Sequence, residues 1–129
     1  FLKSSLKGLR HILEFSYELF SKRELSEFVR YIDLSMHSYS DSKSVQEICV
    51  KALNDLTRDT FRLLSFENYY HISRCIKKGM DAAEKDPKLA PLVFRICDDR
   101  YILERCAIDF KRGLSILLEI MLKEMNYPT

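Results

Sequence analysis

Glycine and proline are scarce, with three of each in 129 residues. Two of the prolines fall in one segment, Asp86-Pro87-Lys88-Leu89-Ala90-Pro91, and the third, Pro128, lies at the end. So few chain breakers leave little room for β-turns and much for helix. Sustained alternation of apolar and polar residues is missing as well, and with it the signature of a strand. No apolar run approaches the roughly 20 residues that a membrane-spanning helix requires. A signal-peptide pattern and an Asn-x-Ser/Thr acceptor are also lacking. Charge of one sign is not in excess, since 21 basic side chains are mixed with 19 acidic ones. Nucleic-acid binding would call for a basic face and a domain pI above about 9. No G-x-S-x-G, phosphate-binding glycine loop or H-E-x-x-H occurs. Neither catalysis nor a cofactor is expected.

Hydrophobic residues make up 47% of the chain and charged ones 31%, an ordinary balance for a globular domain. Residues 1–129 are long enough to bury one core. An all-α single domain of about six helices is expected. The chain opens at Phe1 with a helical pattern already under way over about residues 2–20, with Leu2, Leu6, Leu9, Leu13 and Phe20 on one face. That start suggests a fragment of a longer protein. Four cysteines, Cys49, Cys75, Cys97 and Cys106, all fall in helical apolar patterns. Free cysteine is among the most buried residue types, so reduced core thiols and an intracellular (cytoplasmic or nuclear) setting are expected.

The most legible stretch runs from Ser21 to Arg58. Ser21-Lys22-Arg23-Glu24 is a capping box, in which the hydroxyl and the carboxylate each satisfy one orphan backbone donor. Leu25, Phe28, Val29, Ile32 and Met36 then recur at the 3–4 spacing of one helical face. A polar turn over residues 37–42 leads to Ser44-Val45-Gln46-Glu47, which reads as a second capping box. The stripe of the next helix is Val45, Ile48, Cys49, Ala52, Leu53 and Leu56. Val45-Gln46-Glu47 followed by Ala52-Leu53-Asn54-Asp55-Leu56, after an apolar helix, resembles the last two helices of an armadillo or HEAT repeat over about residues 24–57. The resemblance implies solenoid-like packing, with an irregular helical bundle as the alternative. It argues against a nuclear-import type of peptide groove, because Lys51 and Asp55 stand where that family carries tryptophan and asparagine.

Opposite the second stripe, Lys51, Asp55, Arg58 and Arg62 share one charged face at spacings of 4, 3 and 4. Such a face is either solvated or a docking surface of the kind repeat proteins present. Ser65 marks the next helix start, and Asp86-Pro87 its end, since proline disfavours helical geometry in the residue before it. On this helix Tyr69 and Tyr70, with Arg74, Lys77 and Lys78, form an aromatic and basic cluster that suits RNA, although adjacent helical residues point about 100° apart and one tyrosine belongs to the core. His71 and Cys75, four apart, with Cys97 and Cys106, make a thin zinc set without ordered ligand spacing. Glu67 and His71 share a face but lack the rest of a di-iron pattern. Asp98-Asp99 reads as the cap of the last helix, which is expected to be the longest.

That last helix carries Leu103, Cys106, Ala107, Phe110, Leu114, Leu117, Leu118, Met121 and Met125 on its main stripe. Gly113 inside it indicates a bend or a close helix crossing. Ile102, Ile116 and Ile120 lie off the stripe and, if exposed, would form a second apolar face for another repeat or a second chain. The functional expectation is a scaffold or adaptor domain that binds another protein's helix or peptide, with possible self-association through the last helix. The expected partner-binding residues are Lys51, Asp55, Arg58, Arg62, Tyr69 and Tyr70, because arginine and tyrosine dominate interface energies. An RNA-binding module and a secreted four-helix cytokine-like protein with two disulfides are the alternatives.

Overall fold

The computed structural model describes residues 4, 5, 7, 8, 21–60, 66–98, 102, 104 and 110–125, and it is helical, with no strand among them. Five α-helices are described: α1 (Lys22–Ser38), α2 (Lys43–Thr60), α3 (Phe66–Lys85), α4 (Ala90–Cys97) and α5 (Phe110–Glu124). A 3-10 turn, Pro87–Leu89, joins α3 to α4. The first predicted helix, about residues 2–20, lies almost wholly outside the described residues, as do Arg62, Leu103, Cys106 and Ala107.

α1 opens on the expected capping box. Glu24 N donates to Ser21 Oγ at 3.2 Å, and Ser21 N donates to Glu24 Oε1 at 3.1 Å. All five stripe residues, Leu25, Phe28, Val29, Ile32 and Met36, are buried. The next helix starts differently from the sequence expectation. Its cap is Ser42, whose Oγ accepts from Val45 N at 3.3 Å, and the box at Ser44 does not form. Glu47, which would complete that box, and its neighbour Gln46 are used elsewhere. Gln46 Nε2 donates to Met36 O at 2.9 Å and to Tyr39 O at 3.0 Å, closing the end of α1. Glu47 turns instead to Lys51 and Lys88.

α2 is buried around most of its circumference. Besides the predicted stripe, Val50, Asn54, Asp55 and Thr57 are buried. The Thr57 hydroxyl meets the need of a buried donor by bonding back to Leu53 O at 2.9 Å. α3 ends where Pro87 requires it: Asp86 leaves helical geometry at φ −134° and ψ 85°. Among the described helices α3 is the longest, at 20 residues. Asp98 is the C-cap residue of α4, with its N–H on Phe94 O, and Asp99, the other residue of the expected cap, lies outside the described residues.

Each helix packs against the next and against the next but one. α1 lies on α2 and α3, α2 on α3 and α4, α3 on α4 and α5, and α4 on α5. More distant pairs do not pack comparably among the described residues. The chain therefore zigzags between two layers, α1, α3 and α5 in one and α2 and α4 in the other, with one continuous apolar core between them. Gly113 marks a crossing of α5 over α3: a Cβ there would overlap the Sδ and Cε of Met80. The end of the Met80 side chain fills the space that a side chain at 113 would take.

Candidate functional site

The predicted α2 face is not one surface. Lys51 is half-buried, and its Nζ lies 2.9 Å from Glu47 Oε1. Lys88, from the 3-10 turn, reaches the other oxygen of Glu47 at 3.1 Å. Hydrogen bonds from these two ammonium groups hold the Glu47 carboxyl below the usual carboxylate range. Asp55 is buried, Arg58 is exposed, and Arg62 lies outside the described residues. On α3, Tyr69 belongs to the core while Tyr70 is exposed, so the aromatic pair presents one ring and not two.

Cys49, Cys75 and Cys97 are buried. No disulfide joins Cys49, Cys75 and Cys97 to one another, whereas the two-disulfide framework of a cytokine-like fold needs all four cysteines. Desolvation pushes the Cys49 thiol up to about 12. Under native conditions at neutral pH these three thiols are expected to resist a disulfide reagent and to react fully once the chain is denatured. Rapid native labelling of Cys49 would contradict its burial. No group of three or more His, Cys, Asp or Glu is placed to hold a metal ion among the described residues. His71, from the thin zinc set, is committed to another partner.

That partner is Asp33, which the sequence pattern did not single out. Its side chain is 1% exposed on α1. His71 Nδ1 donates to Asp33 Oδ2 across the α1–α3 contact at 2.6 Å. Asp33 Oδ1 has His37 Nδ1 at 2.9 Å and Arg74 Nε at 3.3 Å, but neither group aims a hydrogen at it. His37 Nδ1 donates instead to the Asp33 backbone carbonyl at 2.9 Å. Arg74 also sits 5.9 Å from the Tyr70 ring centroid, and Tyr70 stands edge-on to His71. Hydrogen bonding with Tyr70 and the nearby Asp33 charge push the Arg74 guanidinium further up. A signal was present in the sequence: Asp33 lies inside the arc of Val29, Ile32 and Met36, so α1 carries a carboxylate into its own buried face. His71 and Asp33 make a positioned pair, and no nucleophile stands beside His71 in its described contacts. The cluster ties α1 to α3.

A cavity of about 240 Å³ opens where the end of α3, the turn after α1 and the 3-10 turn meet. Gln46, Asp86 and Leu89 form its inner wall and are buried. Lys43, Lys78 and Lys85 line it further out.

On α5 the structure corrects the expected second face. Ile102 is buried, and Ile116 and Ile120 are half-buried on the flank, because α3 and α4 cover that side. The apolar side chains left in solvent are Leu118 at 46%, Leu122 at 44% and Met125 at 66%. They are spaced 4 and 3 apart and so form one seam along the helix. Comparison with protein-family models, with curated proteins and with solved structures finds no match, so the Asp33 cluster, the cavity and the α5 seam are read from their own geometry.

Proposed function

We propose that this chain is a non-catalytic protein-interaction domain, a scaffold or adaptor, that docks an amphipathic helix of another protein on the Leu118–Leu122–Met125 seam. One observation carries the reading: three large aliphatic side chains at helix–helix spacing stand exposed on α5, while their neighbour Leu117 is fully buried. Isolated surface leucines are ordinary, but a row at spacings of 4 and 3 offers the knobs that a facing helix accepts. Lys111 and Ser115 continue the line, and Glu119 and Lys123 flank it, which gives the polar rim of a protein interface. The two-layer zigzag supports a solenoid-like stacking mode of armadillo or HEAT character, in which helix faces left at the edge of the stack receive partners. The α2 face is the weaker docking surface, since Asp55 is buried and Lys51 is occupied by Glu47.

Leu118→Glu/Leu122→Glu is the test. Affinity capture from lysate with the native chain should retain a partner, and the double variant should lose it, with affinity down at least about 100-fold. An unchanged melting curve would confirm that the variant still folds. A parallel Arg58→Glu/Arg62→Glu variant should capture the same partner as the native chain. Identical captures by the native chain and the seam variant would refute the seam. A native dimer that becomes monomeric in the seam variant would assign the surface to a second copy instead.

A further inference from the structure

We infer that Met125 makes the α5 seam a peroxide-sensitive contact, in which oxidation of the thioether to the sulfoxide releases a docked helix. The inference rests on the docking proposed for this seam. The chain carries four methionines and four cysteines. Met36, Cys49, Cys75 and Cys97 are 0% exposed. Met80 is half-buried with its thioether closed over Gly113, and Met121 is half-buried against the core. Met125 is 66% exposed, the highest value of any large apolar side chain among the described residues. Cys106 lies outside them. A peroxide must reach a sulfur lone pair, so oxidation follows exposure, and for a thiol it also follows the thiolate fraction. Burial pushes the Cys49 thiol up to about 12, which keeps it protonated at neutral pH. Among the described sulfurs, the one most open to an oxidant therefore stands in the docking seam.

Met125 stands just past the end of α5, and its N–H, shared between Met121 O and Leu122 O at 3.2 Å each, continues the helical bonding. That turn keeps its side chain on the line of Leu118 and Leu122. Hydrogen peroxide breaks its O–O bond, passes one oxygen to the sulfur and leaves the other as water. The sulfur is oxidised by two electrons and the peroxide is reduced by two. A thioether leaves water readily, whereas an S–O group is a strong acceptor that resists burial under a facing helix unless a donor meets it. In the free chain the sulfoxide stays in solvent, so the cost falls on docking and not on the fold. A methionine sulfoxide reductase with a dithiol reverses the step: the S–O bond breaks, the oxygen leaves as water and the dithiol becomes a disulfide.

Hydrogen peroxide treatment of the whole chain, followed by peptide mass spectrometry over time, tests the chemistry. Met125 should oxidise at least about tenfold faster than Met36 and ahead of Met80 and Met121. The probe for docking is the protein that the native chain retains from lysate, identified by its mass and then purified. Oxidation at Met125 should weaken its binding at least about tenfold with the melting curve unchanged, and reductase with dithiothreitol should restore it. Met125→Leu should bind the probe like the native chain and keep that affinity through the same peroxide treatment, which also separates Met125 from any oxidation at Cys106. The inference is overturned if another methionine oxidises first, if the Met125 sulfoxide form binds the probe like the untreated chain, or if Met125→Leu is as peroxide-sensitive as the native chain. Should Leu118→Glu/Leu122→Glu lose the probe while the sulfoxide form keeps it, the seam stands and the peroxide sensitivity alone fails. Should the seam variant bind like the native chain, or the native chain retain nothing, both fail.

Discussion

Asp33→Ala is expected to destabilise the fold by about 2–3 kcal/mol, more than any other single change to a polar side chain described above. The carboxylate is buried on α1, accepts from His71 and lies beside Arg74, so its removal leaves the His71 donor without its acceptor and the Arg74 guanidinium without its neighbouring charge. Breaking a buried pair in this way costs about 3–5 kcal/mol when both partners are dry. Here His71 and Arg74 are 25% and 41% exposed, so water takes over part of their hydrogen bonding and the cost falls below that range. The double variant Asp33→Leu/His71→Leu should recover much of the loss, because apolar side chains at this contact extend the core that Ile32 and Ile72 already form. Urea denaturation of Asp33→Leu, His71→Leu and the double variant completes the cycle. A coupling energy of about 1–2 kcal/mol is expected, and one within about 0.5 kcal/mol of zero would show that the pair does not join α1 to α3.

The contrast between Asp33 and its neighbours shows which features a sequence states outright. Leu25, Phe28, Val29, Ile32 and Met36 repeat at the period of a helix, and each is buried as that period requires. The Ser21 box and the Pro87 stop are equally local, for their partners lie within four residues. Asp33 is different, because its partner His71 is 38 positions away and only the packing of α1 on α3 joins them. Asp55 was misplaced on an open charged face for a related reason. Periodicity locates the most apolar side of α2 but does not reveal that α1, α3 and α4 surround it. The cap of α2 is Ser42 rather than Ser44, and Glu47, which would complete a box at Ser44, bonds to Lys51 and to Lys88, the second a partner that only the folded chain brings near. Gly113 left two readings open in sequence, and Met80 against it decides for the crossing. On α5 the apolar arc is wider than any single contact, and the positions of α3 and α4 determine which edge stays bare.

Leu117 and Leu118 turn that last point into a measurement. The two residues are adjacent on one helix and point about 100° apart. Leu117 is 0% exposed and Leu118 46% exposed. Leu117→Ala should cost about 3 kcal/mol, within the usual range of about 2–5 kcal/mol for a buried leucine, because the lost methyl groups leave a hole that close-packed neighbours do not fill. Leu118→Ala should change stability by no more than about 0.5 kcal/mol, since the side chain already meets water in the free chain. Chemical denaturation of both variants gives the two values directly. Equal and large losses would mean that Leu118 is covered in the free chain and that the seam is core. A loss confined to Leu117 would leave Leu118, Leu122 and Met125 without a stabilising role. Their apolar surface would then have its use in what it contacts outside this chain, and Leu118→Ala should weaken that contact without weakening the fold.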